Sequence, residues 1–244
     1  MSIWGKILGG AAGFVLGGPL GALVGTGVGH AMVDRGGASK MFKTGEDATK
    51  KITFTIGVIA LSAKMAKADG QVTEDEVAAF KQIFKIPPGE LKNVSRVFNL
   101  ARQDTAGYEA YAQQISDLFQ ETPHVLEDLI GALFFIAQAD GVVHPAELEF
   151  LENVAKIFGF KADTWTRIKA QYLGAESEDP YTILGVNPED DLASIKKHYR
   201  KLLKENHPDV LIAQGLPEEF IQVANEKIAK INQAFSEIRD RKKA

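Results

Sequence analysis

Basic side chains line one face of a predicted helix near the end of the chain, and a His-Pro-Asp sequence follows that helix. The basic residues of this stretch, called the basic stripe below, are Lys196, Lys197, Arg200, Lys201 and Lys204. Side chains four residues apart lie on the same face of a helix, so Lys196, Arg200 and Lys204 align and the other two widen the stripe. Such a stripe attracts an acidic partner through its charge.

The predicted helix has to end before Pro208. Proline disfavours helical angles at the residue that precedes it and has no backbone N–H to donate. His207, Pro208 and Asp209 are therefore predicted to form a rigid, exposed turn at the end of the basic stripe, called the HPD turn below. An isolated tripeptide of this kind is also compatible with a plain helix stop, so the flanking sequence has to decide whether the turn has a function.

A second group of charged side chains belongs to an internal repeat. Residues 66–76 (AKADGQVTEDE) and 137–147 (AQADGVVHPAE) match in position, and an apolar helical pattern follows each of them. The acidic members of the two copies are Asp69, Asp75, Glu76, Asp140 and Glu147. Carboxylate oxygens are the ligands that hard cations prefer, so the copies would form a cation site if they faced each other.

Helix capping explains more of this repeat than cation binding does. Gly70 and Gly141 suit left-handed helix ends, and Pro145 suits the first position of a helix. The Thr73 to Glu76 spacing is that of a capping box. An EF-hand is excluded because glycine follows the first Asp directly, where the calcium loop needs further ligands. We therefore favour capping and assign no metal site.

Helical periodicity dominates the chain from residue 52 onward, and alternating strand patterns are nearly absent. One example of the helical spacing is the series Leu148, Leu151, Val154, Ala155 and Phe158. The sequence therefore predicts an all-α protein. Residues 52–173 form one helical domain, in which the repeat implies two related helix-turn-helix halves. A short acidic linker at 174–178 leads to a second helical domain at 179–244.

The first 33 residues predict a membrane anchor. Residues 7–33 contain no Asp, Glu, Lys or Arg, and a helix of that length spans a hydrocarbon core of about 30 Å. Pro19 leaves open a hairpin broken at residues 17–19 instead of a single span. A cleavable signal peptide is disfavoured, because the apolar run exceeds a normal h-region and no small-x-small site ends it.

The flanks of this anchor predict its orientation and a contact. Residues 34–51 are polar and basic and are interpreted as a juxtamembrane linker. Their positive charge predicts a single-pass protein of a bacterial inner membrane with the bulk of the chain in the cytoplasm. Glycine recurs at every fourth position from Gly5 to Gly29, which gives one helix face without side chains. Close helix approach at that face makes it a candidate homodimer contact.

Composition excludes several classes of function. The chain has no cysteine, which removes disulfides and cysteine-ligated metal centres and suits a reducing compartment. The formal net charge of -4 at pH 7 argues against general nucleic-acid binding. No nucleophile-base pair, phosphate-binding glycine loop or metal triad is recognisable. The sequence therefore predicts a protein that is not an enzyme and has no cofactor.

Four short motifs occur in order between residues 179 and 241. They are DPYxxLG at 179–185, YRxL at 199–202, HPD at 207–209 and INQAF at 231–235. In this order the segment resembles the J-domain of the DnaJ-type co-chaperones of Hsp70. The run 207–217 (HPDVLIAQGLP) is similar to the membrane-anchored DjlA-type subgroup, in which a hydrophobic N-terminus and a TerB-like (tellurite-resistance type) helical domain precede the J-domain. The repeat within 52–173 is similar to such TerB-like domains.

This resemblance implies a co-chaperone that acts on an Hsp70. It implies an antiparallel helical hairpin that carries the HPD turn, with the basic stripe and His207, Pro208 and Asp209 at the positions that contact the Hsp70. The stripe would meet an acidic surface of the ATP-bound partner. The turn would dock beside the interdomain linker of the Hsp70 and stimulate its ATP hydrolysis, so catalysis would belong to the partner.

One alternative from another functional class stays open. The chain would then be a membrane-tethered sensor or scaffold, whose TerB-like domain binds a ligand or a cation and whose J-domain recruits a chaperone. Mutation of the acidic repeat separates the two hypotheses, because the alternative predicts a change in signalling while stimulation of the Hsp70 is preserved.

Overall fold

A computed structural model describes residues 38–69, 77–81, 86, 89, 91–103, 107–173, 179–214, 216 and 218–243, with side-chain environments from Lys50 onward. The helices are α1 (Ala38–Asp69), α2 (Leu91–Gln103), α3 (Tyr108–Leu118), α4 (Pro123–Ala137), α5 (Pro145–Ile157), α6 (Ala162–Leu173), α7 (Pro180–Leu184), α8 (Leu192–Glu205), α9 (Pro208–Ala213) and α10 (Ile221–Arg241). Residues 77–81 are also helical, and a 3-10 turn at Glu218–Phe220 precedes α10. No strand occurs in these described ranges, and the all-α prediction is confirmed.

The helix α1 forms the centre of the helical domain, which comprises α1 to α6. Every residue from 52 to 66 is buried, on all faces of the helix. A helix that is apolar all round is stable in water only when other elements enclose it. Helices α2, α3, α4 and α5 pack around α1 and supply most of that enclosure. The one charged side chain of this stretch, Lys64, places its Nζ 5.2 Å from the ring centroid of Tyr111.

The same helix begins inside the segment interpreted as a juxtamembrane linker. Residues 38–51 are helical and continue directly into the buried part of α1. The segment lacks an apolar stripe, so its sequence gives no periodic signal. It also lacks proline, and once the buried part has formed a helix, each further residue adds one hydrogen bond without a new nucleation cost. Residues 38–51 are therefore a helical extension of α1, and their interpretation as a juxtamembrane linker stays a prediction.

The C-terminal domain consists of α7 to α10 and is organised by an antiparallel pair of helices. Lys242 follows α10 and donates from Nζ to the carbonyl of Pro188, which lies before α8, at 2.8 Å. The rings of Tyr199 on α8 and Phe235 on α10 stack with centroids 4.0 Å apart. The buried core shared by α7, α8 and α10 consists of Leu184, Ile195, Leu202, Ile231, Ala234 and Ile238. The hairpin expected from the family resemblance is present.

The two domains pack against each other through α10 and α7. Helix α10 packs on α4 and α6, and α7 packs on α6. The ring of Phe220, next to α10, meets the ring of Phe54 on α1 edge to face, with centroids 4.8 Å apart. Phe220 is 1% exposed and Phe54 is fully buried. The C-terminal domain therefore supplies a part of the enclosure of α1.

Truncation of a side chain at the centre of this core should destabilise the protein strongly. Phe54→Ala removes the ring that packs on both Phe119 and Phe220, and we expect a loss of about 3–5 kcal/mol in the free energy of unfolding. Urea unfolding followed by circular dichroism measures the change. As the control, Val142→Ala alters a side chain that is 61% exposed, so its effect should stay within about 0.5 kcal/mol. Similar losses in both variants would contradict the described core.

Candidate functional site

The HPD turn is the junction between two helices. The buried Asn206 ends α8 and donates from Nδ2 to a carbonyl of the last turn at 2.8 Å. His207 caps α9, because its Nδ1 accepts a hydrogen bond from the backbone N–H of Asp209 at 3.2 Å. Pro208 takes the first position of α9, where a missing N–H costs nothing. The side chains of His207 and Asp209 are 57% and 87% exposed, so both are available to a partner.

The basic stripe lies on the solvent face of α8. Its five members, Lys196, Lys197, Arg200, Lys201 and Lys204, are all exposed. The opposite face carries the buried Ile195 and Leu202. Lys201 lies 3.7 Å from Glu205 in an exposed ion pair, which contributes little to stability because water screens it. The stripe and the HPD turn therefore form one exposed surface, with the charges leading to the turn.

Local hydrogen bonds fix the start of α8. Asp191 caps this helix, because its Oδ1 accepts from the backbone N–H groups of Ala193 and Ser194 at 2.8 and 2.9 Å. The hydrogen bonds from the side chain and backbone of Ser194 lower the pKa of the Asp191 carboxyl. A carboxylate at a helix N-terminus also faces the positive end of the helix dipole. These contacts hold the direction of α8 and hence of the basic stripe.

The glycine of the DPYxxLG motif is required for two separate reasons. Gly185 ends α7 with a φ of 67°, in the left-handed region that favours glycine. A Cβ at this position would also lie 2.8 Å from Cδ of Arg167 on α6. The motif therefore serves both the local turn and the close approach of the helical domain.

The second copy of the acidic repeat caps its helix. The buried Glu147 accepts from the backbone N–H of His144 through Oε2 at 2.9 Å. Oδ1 of Asp140 accepts from the backbone N–H of Val142 at 3.1 Å. Both carboxylates therefore satisfy backbone donors at the turn before α5.

Two further features of this copy are confirmed: Gly141 has a φ of 91° and Pro145 is the first residue of α5.

In the first copy, Asp69 is the last residue of α1, while Gly70, Thr73, Asp75 and Glu76 lie outside the described residues. Where the structure describes the chain, it brings no three His, Asp or Glu side chains together as a metal site. The two copies of the repeat therefore supply no assembled cation site in the described ranges.

A buried cluster of charges joins the two domains and was not predicted. Lys227 on α10 lies with its Nζ 3.1 Å from Oδ1 of Asp128 and 3.3 Å from Oε2 of Glu127, both on α4. Arg167 on α6 lies 2.6 Å from the other oxygen of Glu127. The side chains of Lys227 and Asp128 are 1% and 2% exposed. These four residues are called the junction cluster below.

Burial opposes the charges of Lys227, Glu127 and Asp128, and the ion pairs between them act in the opposite direction. Burial lowers the pKa of Lys227, but Asp128 and Glu127 outweigh this effect and raise that pKa above its ordinary value. Burial likewise raises the pKa of Glu127, and Lys227 and Arg167 reverse the effect and lower it. At Asp128 burial prevails over Lys227 and raises the carboxyl pKa. Lys227 is therefore charged and depends on both carboxylates.

One signal in the sequence does point to this cluster. Lys227 stands four residues after Val223 and four before Ile231, inside the apolar face of α10. Side chains at this spacing share a helix face, and lysine is rarely buried unless it is paired. A lysine on an apolar face therefore indicates a buried partner, although the sequence does not identify it.

Three family models match the chain. Residues 1–41 match "Co-chaperone DjlA transmembrane domain", residues 55–170 match "Tellurite resistance protein TerB", and residues 179–244 match "DnaJ domain". The matches follow the order of the anchor, the helical domain and the C-terminal domain. Among the helices in the described ranges, none is both long and apolar enough to cross a bilayer, and the predicted anchor at 1–33 lies outside those ranges.

Curated relatives are similar to the chain over nearly its full length. The "Co-chaperone protein DjlA" of Coxiella burnetii is 26% identical, with 96% of each chain covered. The protein of the same name from Escherichia coli K12 is 29% identical, with 99% of each chain covered. The one from Photobacterium profundum is 28% identical over 98% of this chain. No solved structure matches the chain.

The junction cluster predicts a difference between breaking an ion pair and replacing it. Lys227→Met leaves Asp128 buried without its partner, and we expect a loss of about 3–5 kcal/mol in the free energy of unfolding. The double variant Lys227→Met/Asp128→Leu removes both charges, while Glu127 keeps Arg167. It should recover most of the loss, because a buried ion pair is often replaced by apolar side chains at little cost. Urea unfolding compares the variants, and an equal or larger loss in the double variant would contradict this account.

Proposed function

Because the chain belongs to the DjlA-type J-domain co-chaperones, we propose that it docks on a DnaK-type Hsp70 through the basic stripe and the HPD turn and stimulates ATP hydrolysis by that partner. The observation that carries the proposal is the single exposed surface formed by α8 and the start of α9. His207 and Asp209 stand at its end with exposed side chains. In this proposal the chemistry belongs to the Hsp70, and the chain acts as its regulator.

The basic stripe acts first, through long-range attraction. Its five cations lie on the solvent face of α8, although the whole chain carries a formal charge of -4 at pH 7. A concentrated positive face steers an acidic surface into the correct orientation and raises the association rate. The negative balance elsewhere disfavours other orientations of the same partner. The stripe therefore selects which face of the C-terminal domain meets the Hsp70.

The HPD turn acts second, at short range. His207 is held by its hydrogen bond to the Asp209 backbone, and Pro208 fixes the first turn of α9. The two exposed polar side chains therefore reach the partner with little conformational freedom left to lose, which lowers the entropic cost of docking. We propose that they dock beside the interdomain linker of the Hsp70 and favour its hydrolysis-competent state.

The N-terminal segment is the proposed membrane anchor. The match of residues 1–41 to a co-chaperone transmembrane domain supports membrane association. We propose a single span in a bacterial inner membrane with the described domains in the cytoplasm, on the basis of the positive charge that follows residue 33. The glycine face of this segment remains a predicted homodimer contact.

Neutralising the carboxylate of the turn should abolish stimulation without affecting the fold. Asp209→Asn changes a side chain that is 87% exposed, so the free energy of unfolding should change by no more than about 0.5 kcal/mol. The steady-state ATPase rate of a DnaK-type Hsp70 with the variant should fall to the rate of the Hsp70 alone. The control, Glu189→Gln, neutralises another exposed carboxylate of the C-terminal domain and should stimulate normally. Full stimulation by Asp209→Asn would refute the proposed docking role.

Reversing charges in the stripe should weaken the interaction in a salt-dependent way. For Arg200→Glu/Lys201→Glu, the concentration of co-chaperone that gives half-maximal stimulation should rise most at low ionic strength. Added salt should narrow the difference from the parent, because exposed charges are screened over about 10 Å at 0.1 M salt. Lys92→Glu/Lys161→Glu reverses two exposed lysines of the helical domain as the matched control. A salt-independent effect would argue against charge pairing at the stripe.

A further inference from the structure

The segment that follows the HPD turn is anchored in the helical domain. Leu211 of α9 and Leu216 are fully buried, and Phe220 is 1% exposed. All three belong to the large hydrophobic cluster that contains the core of the helical domain and also Val223 and Ala224 of α10, whereas the core between α8 and α10 is a separate cluster. The ring of Phe220 lies against Phe54 of α1. The described residues between 207 and 220 therefore connect the exposed turn to the core of the other domain.

Polar contacts reinforce this connection at several points of the C-terminal domain. Nε2 of Gln171 on α6 donates to the carbonyl of Ile183 on α7 at 3.0 Å. Lys230 on α10 donates to the carbonyl of Gln171, and its Nζ lies 5.9 Å from the ring centroid of Tyr172. The side chains of His124 and Gln214, directly after α9, are in contact. The junction cluster adds the buried charges of Lys227 and its carboxylates.

These contacts leave the proposed Hsp70-binding surface open. Every member of the basic stripe is exposed, as are His207 and Asp209. The two halves of that surface are nevertheless supported differently. The stripe is carried by α8, which packs on α10, while α9 after the turn packs on α8 and α10 and also contributes Leu211 to the cluster that contains the core of the helical domain. The packing between the domains is therefore a second support for the turn, besides the contacts of α9 within the C-terminal domain.

We propose that the TerB-like domain is a second support that holds the HPD turn in place relative to the basic stripe, with Phe220 and Lys227 as positioning residues for stimulation of the Hsp70. This inference rests on the proposed function. A partner that binds both elements at once binds more favourably when their relative position is already fixed, because less conformational entropy is lost on binding. Neither Phe220 nor Lys227 is exposed to the partner, so both act through the turn.

This arrangement predicts a specific kinetic pattern. Loss of the contact between the domains should leave the stripe able to attract the Hsp70, because the core between α8 and α10 is separate. The concentration that gives half-maximal stimulation should then change little. The maximal stimulated rate should fall, because the turn no longer reaches its docking position reliably. If the variant were instead partly unfolded, less active co-chaperone would be present. The total concentration that gives half-maximal stimulation would then rise, while the maximal rate would be preserved.

The experiment uses the full chain, which contains no cysteine. Spin labels are attached at Lys156→Cys on α5 and Glu237→Cys on α10, where the parent side chains are 63% and 42% exposed. Pulsed electron paramagnetic resonance measures the distance between the domains, and steady-state ATPase assays with a DnaK-type Hsp70 measure stimulation. Lys227→Ala should broaden the distance distribution. It should lower the maximal stimulated rate by about tenfold, with less than about a twofold change in the half-maximal concentration.

Lys227→Arg is the matched control, because it keeps the positive charge between Asp128 and Glu127. It should preserve both the narrow distance and the maximal rate. If Lys227→Ala does not fold, Lys230→Ala takes its place, since it removes the contacts with Gln171 and Tyr172 at the edge of the same interface. Separated domains with an unchanged maximal rate would overturn the inference, as would a lost rate at an unchanged distance. A parent chain that does not stimulate the Hsp70 at all would refute the proposed function itself.

Discussion

Burial of α1 on all faces is the constraint on which the rest of the structure depends. The stretch from 52 to 66 has no side that can face water, and each buried aliphatic or aromatic side chain contributes roughly 1.5–3 kcal/mol relative to its exposed state. Helices α2 to α5 cover most of this surface. Phe220 of the C-terminal domain covers Phe54. The burial of α1 in the helical domain therefore requires the contact with the C-terminal domain.

The junction cluster fixes the position of α10 relative to α4 at this contact. Apolar packing is tolerant of small displacements, whereas Lys227 must keep Asp128 and Glu127 within ion-pair distance to compensate for the loss of water. Charge pairing at the interface thus restricts α10 to one position on α4. Because α8 packs on α10, the same restriction also orients the basic stripe and leaves it exposed to solvent. Buried charges fix the geometry, and exposed charges remain available for recognition.

Local features of this protein followed from its sequence because they are decided within a few residues. Helix α8 ends before Pro208, Gly141 adopts a left-handed conformation, and Pro145 starts α5. The exposure of the basic stripe also followed, since its residues share one helix face and the apolar residues share the other. The helical extension over 38–51 was missed, because that segment has no apolar stripe and its helix continues from a nucleus formed elsewhere.

The sequence by itself determined the all-α class, the order of the domains, the turn that follows the basic stripe, and the roles of Gly141 and Pro145 in the second repeat copy. Each of these depends on backbone restrictions or on periodicity, which are properties of neighbouring residues. Only the tertiary structure decided that Lys227 lies between Asp128 and Glu127 and that Phe220 packs on Phe54. Those partners are far apart in the chain. An apolar or charged residue on a helix face indicates that a partner exists, but the partner's identity depends on how all the helices pack together.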